Sequence, residues 1–277
     1  MRLICKSLLL SLLLTAFLPL HSQNDGDEPT GPWPFPISRP DKTDVTSLKL
    51  IDLHLKARGG RVELEQVRSL TCTGELLEGQ KDYALEVTYG TPGKIRVLSK
   101  RSHRGYNYVT LRGTDGETAW VQPLEPERRT PKPIGGLDRQ LLELDACLPF
   151  LMLQADRLGV VFKYTGEDTF ADKKVYVLHA WLRNGIEIEI LLDAKSFMAI
   201  NYRQPYAIGN QTLIVDRMPT GLTRIMDTWW EQGYNYALRG KGLQKVLYKK
   251  MSGSPEAAGT DLFAEPPSEE RWLRPNP

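Results

Sequence analysis

Short segments with a two-residue alternation of apolar and polar side chains recur from Leu70 to Lys250, and they constrain the fold more than any other feature. In the clearest segment, from Tyr83 to Tyr89, large apolar residues alternate with smaller or polar ones. Successive side chains of a β-strand point to opposite faces, so the pattern predicts a sheet with one apolar face. Such a face has to be covered by other elements or used to bind something apolar.

Turn residues separate these segments and indicate antiparallel connections. The dipeptides Asp115-Gly116 and Asn184-Gly185 are strong hairpin signals. We therefore predict a mainly β fold with helices, in the α+β class, built on an antiparallel sheet. The predicted strands lie near residues 70–77, 82–89, 94–99, 106–112, 118–122, 160–164, 174–181, 187–193, 198–204, 212–218, 223–230 and 243–250.

A first helix is predicted over residues 44–56, before the strands begin. Asp44 is of the residue type that caps helix N-termini. Leu48, Ile51 and Leu55 fall on one stripe at helical spacing. The stripe predicts that this helix packs on the sheet.

A second helical region is predicted over residues 137–154, between the two groups of strands. It is apolar on nearly every side, which is more than a surface helix needs. Pro149 is incompatible with a helix interior, so we expect two short helices that meet near Ala146. This region is expected to lie against the apolar face of the sheet.

The N-terminus, residues 1–22, has the pattern of a cleavable secretory signal peptide. Arg2 and Lys6 precede an apolar stretch, and Ser22 provides a small residue at the cleavage position. The alternative is an uncleaved membrane anchor. A membrane span needs about 20 apolar residues, and the stretch that ends before Pro19 is shorter than that. After processing, the chain is expected not to span a membrane.

Three further regions are predicted after the signal peptide. Residues 23–43 form a linker, because its prolines exclude helix and interior strand. Residues 44–266 have the length of a single β domain. Residues 267–277 form a polar tail. Removal of the signal peptide, with its two basic residues and no acidic ones, reduces the formal net charge of +2 to zero. A neutral exported domain is a poor candidate for binding nucleic acid.

Cys72 and Cys147 are the cysteines that remain after processing. Export permits a disulfide, which would tie the second helical region to the first strand. The alternative is two buried thiols that behave as small apolar side chains. Neither cysteine has a spacing typical of metal ligands.

The sequence contains none of the common catalytic motifs. It has no nucleophile elbow, no phosphate-binding glycine loop and no paired metal-binding histidines. Glu187 and Glu189 share one face of a strand, where carboxylates usually face solvent. We therefore expect no catalytic residues, no metal and no cofactor, and a protein that is not an enzyme.

An ordered set of short motifs resembles the family of periplasmic outer-membrane lipoprotein-sorting proteins, with the LolA/LolB-like fold. The resemblance extends over residues 48–266. It rests on the segments KARGG at 56–60, SLTCTG at 69–74, PGKIR at 92–96, TDGETAW at 114–120, YTGED at 164–168, VYVL at 175–178, LLDA at 191–194 and LFAEP at 262–266. The sequence departs from the family pattern at 218–223 and at 233–242.

This resemblance implies an incomplete antiparallel β-barrel wrapped around helices, with an apolar cavity that accepts acyl chains. It also implies a periplasmic location and an envelope transport or receptor protein as a partner. Arg96 falls on the position where carriers of this family have a functional arginine. The alternative is an ordinary outward-facing strand arginine, because Ile95 and Val97 have the opposite parity.

Two functions are compatible with these observations. The first is a carrier or binding protein for lipid or lipoprotein acyl chains; the second is an interaction or sensor module of the cell envelope with the same fold and a filled cavity. The candidate lining residues are apolar side chains of the predicted strands and of the second helical region, namely Tyr83, Leu85, Val87, Ile95, Val97, Trp120, Leu144, Leu148, Leu151, Val177, Ile188, Ile190 and Trp229. Core packing is the alternative role for each of them.

We predict that the mature chain begins near Gln23. The physical reason is that the basic start, the short apolar stretch and Ser22 together match what a signal peptidase recognises. Intact-mass measurement of protein recovered from an exporting cell checks the cleavage site. A mass that retains Met1 to Ser22, together with recovery in the membrane fraction, would contradict the prediction.

Overall fold

The computed structural model describes residues 37–79, 81–103, 106–124, 130–208, 211–238 and 241–266. The predicted signal peptide at 1–22, the first part of the predicted linker up to residue 36, and the predicted tail at 267–277 lie outside these residues. Within the described residues, no helix is long and apolar enough to cross a membrane.

Four α-helices and fifteen strands occur within the described residues. The helices are α1 Val45–Ala57, α2 Arg61–Glu65, α3 Gly136–Cys147 and α4 Ala155–Leu158. The strands of the first half are β1 Ser69–Glu78, β2 Lys81–Gly90, β3 Lys94–His103, β4 Tyr106–Thr114, β5 Ala119–Pro123 and β6 Lys132–Pro133. Those of the second half are β7 Val161–Phe170, β8 Lys173–Trp181, β9 Glu187–Asp193, β10 Ala199–Ile208, β11 Gln211–Pro219, β12 Leu222–Ile225, β13 Thr228–Glu231, β14 Gly233–Leu238 and β15 Lys241–Ser254.

Thirteen of the strands form one open antiparallel sheet. Its order is β6-β5-β4-β3-β2-β1-β15-β14-β11-β10-β9-β8-β7, so β15 pairs with β1 and joins two meanders. The sheet is open, and β6 and β7 are its two edge strands. This arrangement confirms the predicted class: a mainly antiparallel β fold with few helices, in the form of an incomplete barrel.

The region predicted as one strand over 223–230 is a hairpin in the structure. β12 and β13 form a separate two-stranded sheet, and the turn between them places Met226 and Asp227 at positive φ. Aspartate tolerates this conformation better than most residues. The following strand, β14, was not predicted, and it pairs with β11 and β15 inside the main sheet.

The second helical region breaks where its proline predicts. Helix α3 ends at Cys147, and a 3-10 turn over Leu148–Phe150 holds Pro149 in its first turn. Proline is accepted there, since the first residues of a helix need no backbone N–H partner. A further turn leads into α4, and Gly159 ends that helix in the left-handed conformation.

The sheet face that packs on the helices, which we call the inner face, carries the core. In β2 the residues Tyr83, Leu85, Val87 and Tyr89 are all buried on this face, as the alternation predicts. They form one continuous core with strands β8 and β9 and with residues of α1 and α3. Because strands from both halves of the sheet contribute to this core, the sheet wraps around the helices.

Asp44 fixes the position of α1 against the edge strand β7. Its carboxylate accepts a hydrogen bond of 2.9 Å from the backbone N–H of Ser47, as the predicted cap requires, and another of 2.9 Å from the N–H of Tyr164. The buried stripe of α1 includes Ile51 and Leu55, as predicted. Leu48 was predicted to share it but is 54% exposed, because the buried face is rotated toward Leu50.

We predict that Leu144→Asp destabilises the protein by at least about 3 kcal/mol, because it places an unpaired charge where a fully buried side chain of α3 meets the sheet. Leu48→Asp is the matched control, since it makes the same change on an exposed face of α1 and should cost less than about 0.5 kcal/mol. Urea unfolding of both variants checks the prediction. Equal midpoints for the two variants would contradict the burial of α3.

Candidate functional site

Ten of the thirteen candidate lining residues come together where the inner face meets the second helical region. Each is at most 5% exposed, and all belong to the same continuous core. They are Tyr83, Leu85, Val87, Ile95, Val97, Leu144, Leu148, Leu151, Ile188 and Ile190. The inner face is therefore apolar from β1 to β3 and again in β8 and β9, with α3 and the 3-10 turn between these parts. A role of these residues in binding remains a prediction.

The other three candidates lie elsewhere, which corrects their predicted placement. Val177 packs in a separate small cluster on the outer face, because its neighbour Leu178 is the residue of β8 that points inward. Trp120 also faces outward, and its indole N–H donates a 3.0 Å hydrogen bond to the carbonyl of Phe263. Trp229 lies in the β12–β13 hairpin and is 40% exposed. Alternation alone does not say which of the two parities faces the helices.

Arg96 lies on the outer face. It is opposite Thr88 and Gly113, in the same row as Trp120, and it alternates with the inward-facing Ile95. The placement agrees with the parity argument for an outward-facing arginine. The functional role that the family resemblance implies for Arg96 would have to be exerted from the side of the sheet opposite the helices.

Cys72 and Cys147 are two free thiols, both buried, so the structure does not contain the disulfide predicted as one of two arrangements. Cys72 faces inward from β1. Cys147 ends α3 beside Gly93, and a Cβ atom added to Gly93 would lie 3.3 Å from the sulfur of Cys147. Burial raises the pKa of each thiol to about 12. Neither cysteine is therefore ionised at neutral pH.

A buried arginine joins α1, the hairpin and the 3-10 turn. Arg58 donates hydrogen bonds to the carbonyl oxygens of Trp229 (3.0 Å) and Pro149 (3.2 Å), and its guanidinium lies 4.5 Å from the ring centre of Trp230. Its remaining nitrogen, Nη2, is 3.9 Å from a carboxylate oxygen of Glu231 and makes no hydrogen bond with the described residues. Both side chains are at least 96% buried.

A second buried arginine crosses the inner face from β11. Arg217 is fully buried; its Nε donates to Asp145 of α3 at 3.1 Å, and its terminal nitrogens donate to Gln204 at 3.1 Å and to the hydroxyl of Tyr206 at 3.3 Å. Burial alone would lower the pKa of Arg217, but Tyr206 and Asp145 raise it above its ordinary value. The guanidinium also lies 5.4 Å from the ring centre of Tyr236.

Tyrosines of β2, β10 and β15 extend this polar region over the inner face. Tyr202 donates to Glu231 at 3.2 Å, and the hydroxyls of Tyr89 and Tyr248 are 2.7 Å apart. Burial raises the pKa of these three tyrosines well above the ordinary value. The inner face thus has an apolar part and a part lined by hydroxyl and guanidinium groups.

These polar residues were not predicted as a site from the sequence. The one signal for Arg217 is its shared parity with the apolar Val215, although the other parity also includes the apolar residues Ile214 and Met218. No such signal exists for Asp145 or Glu231, whose contacts are made by segments far apart in the chain. Within the described residues, no group of three or more His, Cys, Asp or Glu side chains could hold a metal ion.

Comparison with known proteins gives matches among solved structures. No family model matches the chain, and no curated protein matches it. The chain is similar to a candidate outer membrane lipoprotein-sorting protein domain from Vibrio parahaemolyticus, with 11% identity and a TM-score of 0.54, over 78% of this chain and 95% of that one.

Two other solved structures have TM-scores just below that value. A DUF1329 family protein from Desulfovibrio piger has a TM-score of 0.49 at 11% identity, over 74% of this chain and 92% of that one. A LolA superfamily protein from Nitrosomonas europaea has a TM-score of 0.49 at 13% identity, over 73% and 94%. The likeness to the Vibrio domain confirms the predicted LolA/LolB-like fold, and at this identity it shows the fold alone.

We predict that acid destabilises the protein partly through His54. Burial, with a contribution from the charge of Arg58, lowers the pKa of His54 from 6.5 to about 4. Between these values the unfolded chain binds a proton that the folded protein does not, so stability is lost as the pH falls below about 6.5. Between pH 7.5 and 5, the loss should be about 2 kcal/mol larger for the wild type than for His54→Gln.

Urea unfolding of both proteins at the two pH values measures this difference. The glutamine amide can still donate to the carbonyl of Phe197, which is 2.9 Å from Nδ1 of His54, so the variant should fold. Equal pH dependence of the two proteins would contradict the low pKa of His54.

Proposed function

We propose that the protein is a binding protein or carrier of the cell envelope that holds the acyl chains of lipids or lipoproteins on the inner face of its sheet. The observation that carries the proposal is the continuous apolar region where the inner face meets α3. The fold, shared with a domain described as lipoprotein-sorting, supports the same role. Fold alone does not decide function, so the proposal depends on the inner face itself.

The helices are too short to cover the whole inner face. α1 and α3 have 13 and 12 residues, so each is about 20 Å long or less. β3 has 10 residues and β15 has 14, so they are about 33 and 46 Å long. Neither helix is therefore long enough to span these strands from end to end.

The uncovered part of the inner face lies at the far end of β3 and β4. There Ser99, Arg101, Tyr108 and Thr110 are half-buried, and they share the parity of the buried Val97. An acyl chain that entered at this end would extend along the inner face toward the apolar residues beside α3. Each buried CH₂ group contributes about 0.8 kcal/mol, so a partly covered chain is enough for binding.

An interaction or sensor module of the cell envelope is the second candidate. One observation favours it: the protein's own side chains already bury most of the inner-face residues. In that case the core is filled, and the ligand would be another protein. The two candidates differ in whether an acyl chain binds between the sheet and α3.

The proposed place of action is the periplasm, and the proposed partners are lipid or lipoprotein acyl chains together with an envelope transport or receptor protein. The location rests on the predicted signal peptide and on the fold. The proposed role is binding rather than catalysis, since none of the buried polar groups described above forms a nucleophile with an adjacent base.

The proposal predicts that an acyl chain binds on one face of the sheet only. Val97→Lys places a charge on the inner face and should weaken binding of a fluorescent acyl probe without a charged head group at least about tenfold, because the chain would have to cover an unpaired ammonium group. Leu98→Lys is the matched control, as it makes a similar change on the adjacent, half-buried residue of the outer face. Titration of the delipidated proteins measures both affinities.

Circular dichroism and urea unfolding establish that both variants remain folded before binding is compared. Native mass spectrometry of wild-type protein from an exporting cell provides an independent observation of co-purifying lipid. A folded wild-type protein that binds no acyl probe at micromolar concentration would overturn the carrier function in favour of the interaction module. Equal loss of binding in both variants would overturn the placement of the site.

A further inference from the structure

Arg217 is a charge placed in the middle of a strand on the face that packs against α3. In the register of the sheet it lies between Tyr202 of β10 and Tyr236 of β14, both of which face inward. A fully buried guanidinium is costly unless it is paired and hydrogen-bonded. An apolar residue at this position would pack against α3 without that cost, so stability alone does not explain the arginine.

The pairing of Arg217 is incomplete. Asp145 contacts the guanidinium through Nε alone, whereas carboxylates commonly bind arginine through two parallel hydrogen bonds. Gln204 and Tyr206 each accept one hydrogen bond, one from each terminal nitrogen. Arginine has five N–H donors, so each terminal nitrogen keeps a second N–H for which the described residues provide no hydrogen bond.

The network around Arg217 reaches the surface. The side chain of Asp145 is 22% exposed, although that of Arg217 is fully buried. Tyr236 and Gln244, which lie opposite each other in β14 and β15, are half-buried. The polar groups that bind the guanidinium are therefore partly open to solvent, although its neighbours Tyr202 and Tyr236 also pack in or against the apolar core.

The same region adjoins the apolar part of the inner face. Burial raises the pKa of Tyr236 and the positive charge of Arg112 of β4 acts against that rise, so Arg112 is a second positive charge near the network. Arg112 lies directly opposite Val97, a residue of the apolar core. A molecule with its chain against Val97 can thus have its head group near both arginines.

We propose that Arg217, supported by Arg112, binds the anionic head group of the amphiphile whose chain lies on the inner face. The shared chemistry is a carboxylate or a phosphate, each of which can accept two hydrogen bonds from one guanidinium. The carboxylate of Asp145 competes with the anionic head group for the guanidinium of Arg217, so it limits the affinity for the anion. This inference rests on the proposed function and assigns the class of ligand to it.

The test compares three amphiphiles that have the same chain and different head groups. Decanoic acid, decanol and a decanoyl lysophosphatidic acid each displace N-phenyl-1-naphthylamine, a neutral apolar dye, from the delipidated wild-type protein at pH 8. The wild type is expected to prefer at least one anionic amphiphile over decanol about tenfold or more, as a charge-assisted hydrogen bond allows. Comparison of the two anionic compounds distinguishes a carboxylate from a phosphate.

Two variants separate recognition from folding. Arg217→Gln combined with Asp145→Asn removes both charges together, so no unpaired charge remains in the core; the preference for an anion should disappear while decanol still binds. Asp145→Asn alone removes the competing carboxylate and should increase the preference. Arg203→Gln is the control, because Arg203 lies on the outer face and pairs with Glu189 and Asp216 there.

Each outcome decides the inference. A preference that disappears in the double variant and persists in Arg203→Gln supports it. Equal affinity of the wild type for all three amphiphiles, or a preference that survives in the double variant, overturns the inference and leaves the proposed function intact. Failure of every amphiphile to displace the dye, or of the dye to bind, overturns both. If the double variant does not fold, Asp145→Asn alone tests the inference. An unchanged or reduced preference of Asp145→Asn for the anionic amphiphile over decanol then overturns it.

Discussion

The packing of the second helical region against the inner face is the contact on which the rest of the structure depends. Pro149 bends the chain there, and its carbonyl accepts a hydrogen bond from Arg58 at the end of α1. Phe150, which follows it, meets the ring of Trp230 edge-to-face at 5.4 Å. One short segment therefore connects α1, the β12–β13 hairpin and both halves of the sheet. Without it the open sheet would expose a large contiguous apolar surface.

The two buried arginines show that this core is not organised for stability alone. Arg58 and Arg217 each have one carboxylate partner, Glu231 and Asp145, and neither pair has an ideal two-point geometry. Replacing such pairs by apolar residues often leaves stability unchanged or increases it. The free-energy cost of burying such an arginine is explained if the side chain orients structural elements or recognises a charged ligand. Arg58 does the first, as it joins three segments through backbone carbonyls, and Arg217 is placed for the second.

The predictions succeeded where local alternation decides the outcome and were wrong where the orientation of a whole strand decides it. The four inward residues of β2 were identified from their spacing alone, because a polar or small residue separates each of them from the next. In β8, Val177 and Leu178 are both apolar, and spacing does not tell which one faces the helices. The turn at Met226 and Asp227 was missed for a related reason: its flanking residues continue a strand-like pattern across it.

The sequence by itself determined the class of the fold, the positions of most strands, the cap at Asp44 and the break at Pro149, since each follows from two-residue alternation or from the backbone chemistry of nearby residues. Tertiary structure alone decided the pairing of β15 with β1, the choice of inner face for each strand, and the meeting of Asp145 with Arg217. These features join segments that are distant in the chain. They depend on how the curved sheet surrounds the helices, and no local pattern of residues encodes that geometry.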